Sequence, residues 1–322
     1  MNSAFNLIEN DLKLVERQFR RNLDSDVPLI QKVGDYILSS GGKRIRPALL
    51  LLAARLCGYT GDKAVSLASI IEFVHTATLL HDDVVDRAAI RRGFASANTL
   101  WGNEASVLVG DFLFSKSFSL VVDMGNTDVL RVFSKAATVI AEGEVKQLLS
   151  IGDLNLTEES YLKVARAKTA VLMSAACEIG GILGNASQET RKALSDFGME
   201  LGTAFQLVDD ALDYIANEKE FGKTIGHDLK ERKITLPLIH TLKNCSEDER
   251  DYIAETLTKE EMLFEDFKNV SLLIKRTGGI DYTLSVARKC LDECGSYMDV
   301  FKESPEREAM LDLSEYVITR SR

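Results

Sequence analysis

Residues 70–86 read IIEFVHTATLL and then HDDVVD, an apolar stretch from Ile70 to Leu80 that runs into three aspartates, Asp82, Asp83 and Asp86. The stretch is hydrophobic around most of a helical circumference, so it belongs in the middle of a helical bundle rather than on its surface. Working outward from it, the same periodicity predicts helices over 6–19, 47–56, 63–85, 105–122, 129–149, 158–184 and 187–214. Strand-type alternation bounded by turn residues is nowhere convincing. Four prolines occur, Pro28, Pro47, Pro237 and Pro305, so the long interval between Pro47 and Pro237 lacks the strongest helix breaker. Thr157 ahead of Glu158 and Glu159, and Ser187 ahead of Glu189 and Thr190, read as capped helix starts. The expected fold class is all-α, a helical bundle around a deep apolar central cavity. One domain over 1–322 is the simplest division, because no repeat, low-complexity tract or linker interrupts the chain.

With 322 residues, 45% of them hydrophobic, the chain can bury a substantial core. Its net charge of −10 argues against a nucleic-acid partner or an anionic membrane surface, both of which select for a basic face. The N-terminal residues show no basic start followed by an apolar run, and the longest apolar run, Ala48 to Ala54, is too short to span a bilayer. A cytoplasmic protein without a transmembrane segment is expected. Cys57, Cys177, Cys245, Cys290 and Cys294 form an odd, scattered set that fits reduced thiols, and Cys290 and Cys294 read as ordinary packing because no histidine cluster accompanies them.

Asp82 and Asp86 stand four residues apart, so their carboxylates leave one helical face. Acidic groups at a helix C-terminus oppose the macrodipole, and three of them after a buried stretch call for a cation. The spacing recurs in FQLVDDALD, residues 205–213, where Asp209 and Asp213 again share a face. One such triad is a weak signal; two, each closing an apolar helix, are a strong one. Oxygen donors of this kind suit Mg²⁺, and His81 is expected to pack beside the first triad rather than ligate. Six carboxylates repel an anion, so a diphosphate can join them only through several divalent ions.

Basic residues stand beside both triads. Gly41-Gly42-Lys43-Arg44-Ile45-Arg46-Pro47 sets cations at a helix start, where backbone N–H groups also favour an anion. Arg91-Arg92-Gly93 comes after the first triad, and Lys168-Thr169, Lys223 and Lys233 complete a cationic ring. Two kinds of anion site are implied, one bridged by metal and one purely cationic. A leaving diphosphate suits the first and an intact diphosphate handle the second.

The segments GGKRIRP, FVHTATLLHDDVVD, RRG, KT, AFQLVDDALDY and GKTIGHDLKERKITLPL together resemble the trans-isoprenyl diphosphate synthases, and within them the long-chain polyprenyl branch. The resemblance implies a homodimeric helical bundle that condenses an allylic diphosphate, farnesyl diphosphate in the first instance, with successive isopentenyl diphosphates. The implied product is a long all-trans polyprenyl diphosphate, octaprenyl by preference, for a quinone side chain. It implies Mg²⁺ as cofactor, about three ions per active site. By position, Asp82, Asp83, Asp86, Asp209, Asp210 and Asp213 match the metal motifs, with Asp82, Asp86, Asp209 and Asp213 as metal ligands. Asp83, Asp210 and Lys168 join them as catalytic positions. Lys43, Arg46, His75 and Arg92 would hold isopentenyl diphosphate; Arg91, Lys168, Thr169, Gln206, Lys223 and Lys233 would hold the allylic diphosphate. The pattern is broken where the family has Gly before Lys233 and Pro after it, since this chain has Arg232 and Ile234.

Product length should depend on cavity depth below Asp82. Small Ala77 and Thr78 leave the upper turns open, which predicts a long product with its floor at Phe73 or at Phe133 of another helix. A terpene cyclase would share the aspartate helix but would not need the GGKRIRP and Arg91-Arg92 anion site. A non-catalytic partner subunit would not need all six aspartates.

Overall fold

The computed structural model describes residues 2–215, 226–259 and 262–319, with side chains from Phe5 onward. In chain order the helices are α1 (Asn2–Leu7), α2 (Glu9–Asn22), α3 (Pro28–Ser39), α4 (Ile45–Leu56), α5 (Lys63–Val85), α6 (Ala97–Trp101), α7 (Asn103–Asp123), α8 (Thr127–Leu149), α9 (Glu158–Ala165), α10 (Val171–Leu183), α11 (Gln188–Asp213), α12 (His227–Lys230), α13 (Leu236–Asn244), α14 (Glu247–Thr258), α15 (Phe264–Arg276), α16 (Gly279–Tyr297) and α17 (Pro305–Thr319). A π-helical turn, Arg166–Ala170, joins α9 to α10. The fold class is all-α. The one pair of strands among the described residues is a short hairpin, β1 (Ile90–Arg91) with β2 (Phe94–Ala95), two residues each, which the sequence does not mark by strand-type alternation.

The chain folds into two compact units, each assembled from separate segments. The first comprises 1–138, 172–198 and 295–313, the second 139–171, 199–294 and 314–322. In the first, α5 is the central element, packed against α2, α4 and α7. Phe19, Leu23, Val33, Ile37, Leu38, Phe73, Ala77, Leu80, Val109 and Leu113 form one buried cluster there. In the second, α13 packs against α9 and α15, with Tyr214 stacked on Phe267 at 6.5 Å between ring centroids.

The sequence signals at helix starts hold locally. Thr157 Oγ1 accepts the Ser160 N–H at 3.2 Å, and Ser187 Oγ accepts the Thr190 N–H at 3.1 Å. Pro47 falls in the first turn of α4, two residues later than its predicted place. Arg44 ahead of that helix adopts a left-handed φ of 50°. All five cysteines are free, and Cys290 and Cys294 are buried. Two helices, α5 and α7, are long and apolar enough to cross a membrane, which the longest unbroken apolar run does not reveal. Two-thirds of the apolar window of α5 is inside the unit, as expected of a core helix. On α7 that share is one third, and Val107, Leu108 and Val122 are exposed.

Candidate active site

The first aspartate motif ends α5. Asp82 and Asp86 are half-buried, whereas Asp83 between them is 1% exposed. A carboxylate buried to this degree needs a partner. Asp83 has one in Arg91, whose Nε donates to its Oδ1 at 2.6 Å. Burial pushes the Asp83 carboxyl up and Arg91 pulls it back, with the net still above the ordinary carboxylate range. Asp83 thereby locks the β1–β2 hairpin to α5, and Asn98 adds a bond to its backbone oxygen at 3.1 Å. The adjacent His81 behaves as a packing residue. Its Nε2 lies 3.2 Å from the Val107 oxygen and 3.3 Å from Asp111, both on α7.

Seven residues before Asp82 on the same helix stands His75, and around it the first unit assembles the GGKRIRP and RRG segments. Arg46 Nη1 lies 3.1 Å from His75 Nε2. Burial and the charges of Arg46, Arg92, Arg91 and Arg44 hold the imidazole well below its usual pKa, so it is neutral with Nε2 as acceptor for Arg46. Gly41 has a φ of 84°, open to glycine at no cost, and its carbonyl accepts a hydrogen bond from Arg92 Nη1. A Cβ at Gly42 would stand 2.8 Å from that same guanidinium nitrogen. The glycine pair is therefore the seat of Arg92, itself left-handed at φ 53°. Arg44 is committed elsewhere, to buried Glu72 and the Leu38 carbonyl. Lys43 is exposed beside this seat.

The second motif ends α11 with a similar profile: Asp209 and Asp213 half-buried, Asp210 4% exposed. Its middle carboxylate is held by neutral donors. Gln206 Nε2 donates to Asp210 Oδ1 at 2.7 Å, and the buried Tyr161 hydroxyl donates to Oδ2. Thr169 Oγ1 in turn donates to Gln206 Oε1 at 2.6 Å, so a chain of hydrogen bonds runs from the π-helical turn to the aspartates. Burial raises Asp210 to about 7, against the relief given by Tyr161 and Gln206. Burial and the Asp210 charge push Tyr161 well above the ordinary phenol range, which keeps it a donor. Asp213 accepts the backbone N–H groups of His227 at 3.2 Å and Asp228 at 2.9 Å, and so holds the start of α12.

Asp228 is a residue that sequence reasoning missed. Burial and the charges of Asp213 and Asp210 push its carboxyl well above the ordinary range. The available signal was its place in GKTIGHDLKERK between Lys223 and Lys233, read only for its lysines. Asp210, Asp228, Gln206, Lys168, Lys233 and Tyr161 line one pocket of about 100 Å³, whose apolar side is formed by Ile151, Leu156, Val164 and Ile234. Lys168 Nζ is 3.0 Å from Glu144, and Lys233 Nζ is 2.6 Å from Glu231. Lys223 lies outside the described residues. The turn before Lys233 survives the loss of its family glycine: Arg232 itself takes the left-handed conformation at φ 57°, and the Lys233 N–H reaches the Asp228 carbonyl at 2.7 Å.

Of the positions expected to set product length, Ala77 and Phe73 lie wholly inside the buried cluster of the first unit, Phe73 against Phe19 at 4.4 Å. Thr78 is half-buried and donates to the His75 carbonyl at 2.8 Å. Phe133 is buried against Phe118 at 5.1 Å. Among the described residues no group of three or more His, Cys, Asp or Glu side chains is close enough to hold a metal alone. The motifs offer carboxylate pairs instead, Asp82 with Asp86 and Asp209 with Asp213. Their donor set is oxygen only, which fits a hard divalent cation that completes its shell with substrate oxygens.

Aspartate motifs ending buried helices, with a separate cationic seat and a lysine-lined pocket, define the class of helical enzymes that transfer prenyl groups between diphosphates. Residues 27–272 match the polyprenyl synthetase family, and the chain belongs to it as a trans-prenyl diphosphate synthase. It is 43% identical over 316 residues to the octaprenyl diphosphate synthase of Escherichia coli, covering 98% of each chain. A solved decaprenyl diphosphate synthase from Rhodobacter capsulatus superposes with a TM-score of 0.95 at 42% identity, covering 100% of this chain and 99% of that one. A polyprenyl synthase from Caulobacter crescentus, solved with calcium and isoprenyl diphosphate, gives 0.95 at 39% identity, with coverage of 100% and 98%.

Proposed function

We propose that the protein elongates farnesyl diphosphate with several isopentenyl diphosphates to a long all-trans polyprenyl diphosphate, octaprenyl by preference, used for a quinone side chain in the cytoplasm. One observation carries the choice of a two-diphosphate reaction. His75 and Asp82 share α5, about 10 Å apart along its axis, so one helix serves both a cationic seat and a carboxylate pair. A cyclase, which binds a single diphosphate, has no use for the seat of Arg46, His75 and Arg92.

In this reading Lys43, Arg46, His75 and Arg92 hold isopentenyl diphosphate intact. Neutral His75 keeps the Arg46 guanidinium oriented without adding a charge that the anion must share. Lys168, Lys233, Gln206 and Thr169 grip the allylic diphosphate, with Arg91 held ready by Asp83 and Lys223 joining from sequence resemblance. Asp82, Asp86 and Asp209 are the magnesium ligands, with Asp213 as a fourth carboxylate that also caps α12. Bound magnesium would supply charge neutralisation for the departing diphosphate. Asp83 and Asp210 orient their motifs from within. The apolar side chains of the pocket, Leu156, Val164 and Ile234, would shield the allylic carbon from water while the isopentenyl double bond attacks it. The calcium in the Caulobacter structure supports an oxygen-liganded divalent cation. The exposed apolar side of α7, with Leu108 67% accessible, supports pairing with a second copy of the chain.

The test is an incubation of purified protein with farnesyl diphosphate, labelled isopentenyl diphosphate and Mg²⁺, with products resolved by length. A ladder reaching a C40 chain, abolished by chelator, is the expected result. Consumption of farnesyl diphosphate alone would instead point to a cyclase.

A further inference from the structure

The 158–184 segment has the pattern of one uninterrupted helix, yet its backbone passes through a π-helical turn over Arg166-Ala167-Lys168-Thr169-Ala170. None of these five residues is a helix breaker. Such a turn adds a residue to the helix and rotates the residues after it, a device concentrated at functional sites. Here it carries Lys168 to the pocket and Thr169 to Gln206, which lines it.

The neighbour that admits the turn is Gly143, buried in the interior of α8. Helix interiors disfavour glycine, and Gly143 has no left-handed φ to justify it. Its reason is space. A Cβ there would stand 2.7 Å from Ala167 Cβ and 3.3 Å from both the Ala167 carbonyl carbon and the Lys168 nitrogen. Those distances are shorter than ordinary van der Waals contact. The next residue, Glu144, accepts from Lys168 Nζ at 3.0 Å, with both side chains largely covered.

We propose that Gly143 is a positioning residue for the reaction: by carrying no side chain it lets α8 close on the π-helical turn, and this approach sets where Glu144 holds the Lys168 ammonium at the pocket. This role rests on the proposed function, in which Lys168 grips the allylic diphosphate. Gly143 touches no reacting atom, so its effect runs through the side chains the turn carries, Lys168 and with it Thr169.

The test uses the full-length protein. In Gly143→Ala the new methyl must push the turn away, and misplacement of roughly 1 Å costs about 100-fold in turnover efficiency. We expect that loss in kcat/KM for farnesyl diphosphate, with KM for isopentenyl diphosphate unchanged. Adding Ala167→Gly removes the atom nearest the new methyl and restores kcat/KM to within about 3-fold of the parent, since the two changes are directly coupled. A merely structural glycine would move the melting temperature and leave the split between substrates untouched. Parental kcat/KM in Gly143→Ala, or a double variant no better than the single, overturns the proposal. Should Gly143→Ala fail to fold, Glu144→Gln decides: a several-fold change in KM for farnesyl diphosphate alone supports it, and an unchanged KM overturns it. Turnover by the parent enzyme in the same assay reports separately on the prenyl-transfer reading.

Discussion

The two aspartate motifs share spacing and burial, with half-buried outer carboxylates and a buried middle one, but their middle carboxylates are satisfied by different chemistry. Asp83 faces a guanidinium brought by the hairpin after its helix. Asp210 faces a phenol and an amide, neither of which neutralises it, and Asp209 and Asp213 add further negative charge nearby. The first motif is therefore charge-compensated by the protein itself, while the second relies on burial that favours its protonated form. Identical DDxxD spacing thus fixes which carboxylates face outward, and tertiary partners decide how much charge each motif can carry unaided.

Breaking each partner should expose this difference. Arg91→Ala strands a buried charge, and we expect a loss of about 3 kcal/mol in urea unfolding at neutral pH, shrinking as pH falls and Asp83 takes up a proton. Tyr161→Phe removes one donor from a buried oxygen and should cost about 2 kcal/mol, a smaller penalty because no cation is lost. Equal penalties with equal pH dependence would erase the distinction between the motifs.

The protonation of Asp210 sharpens it further. The folded state raises this group to about 7 from the ordinary aspartate value of 3.8, so folding favours the bound proton. Its stabilising contribution is complete below about pH 4 and is lost as pH rises toward about 7. In chelator, the melting temperature of the parent should fall relative to Asp210→Asn across that window, and a constant gap would contradict the assigned shift. The smallest effect concerns Arg232, whose left-handed φ of 57° costs a non-glycine residue energy. Arg232→Gly should recover roughly 1 kcal/mol of backbone strain, read by the same unfolding assay, and a loss instead would mean that the arginine side chain matters more than its backbone.

Much of the fold is legible in the sequence because it is local. Apolar periodicity ending in Asp82 and Asp209 gives two buried helices and their outward carboxylates, and Thr157 and Ser187 mark helix starts by hydrogen bonds within three residues. The features that stay hidden depend on contacts distant along the chain. The π-helical turn at Lys168 is invisible in the composition of RAKTA because a glycine on another helix admits it. The roles of Arg91 and Tyr161 as partners of middle aspartates span 8 and 49 residues. Asp228 escapes notice because its chemistry comes from burial and from two carboxylates on another helix. The break at Arg232 looks like a lost turn in the sequence, yet one left-handed arginine preserves it.

Both motifs are held here to act in the same ionisation step. Asp82→Ala, Asp209→Ala and the double variant, assayed with farnesyl diphosphate, labelled isopentenyl diphosphate and Mg²⁺, test this most directly. Each single change should cost at least about 1,000-fold in kcat, and the double variant little more, because residues acting as a unit are not additive. Intact turnover in either single variant, or losses that multiply in the double, would contradict it.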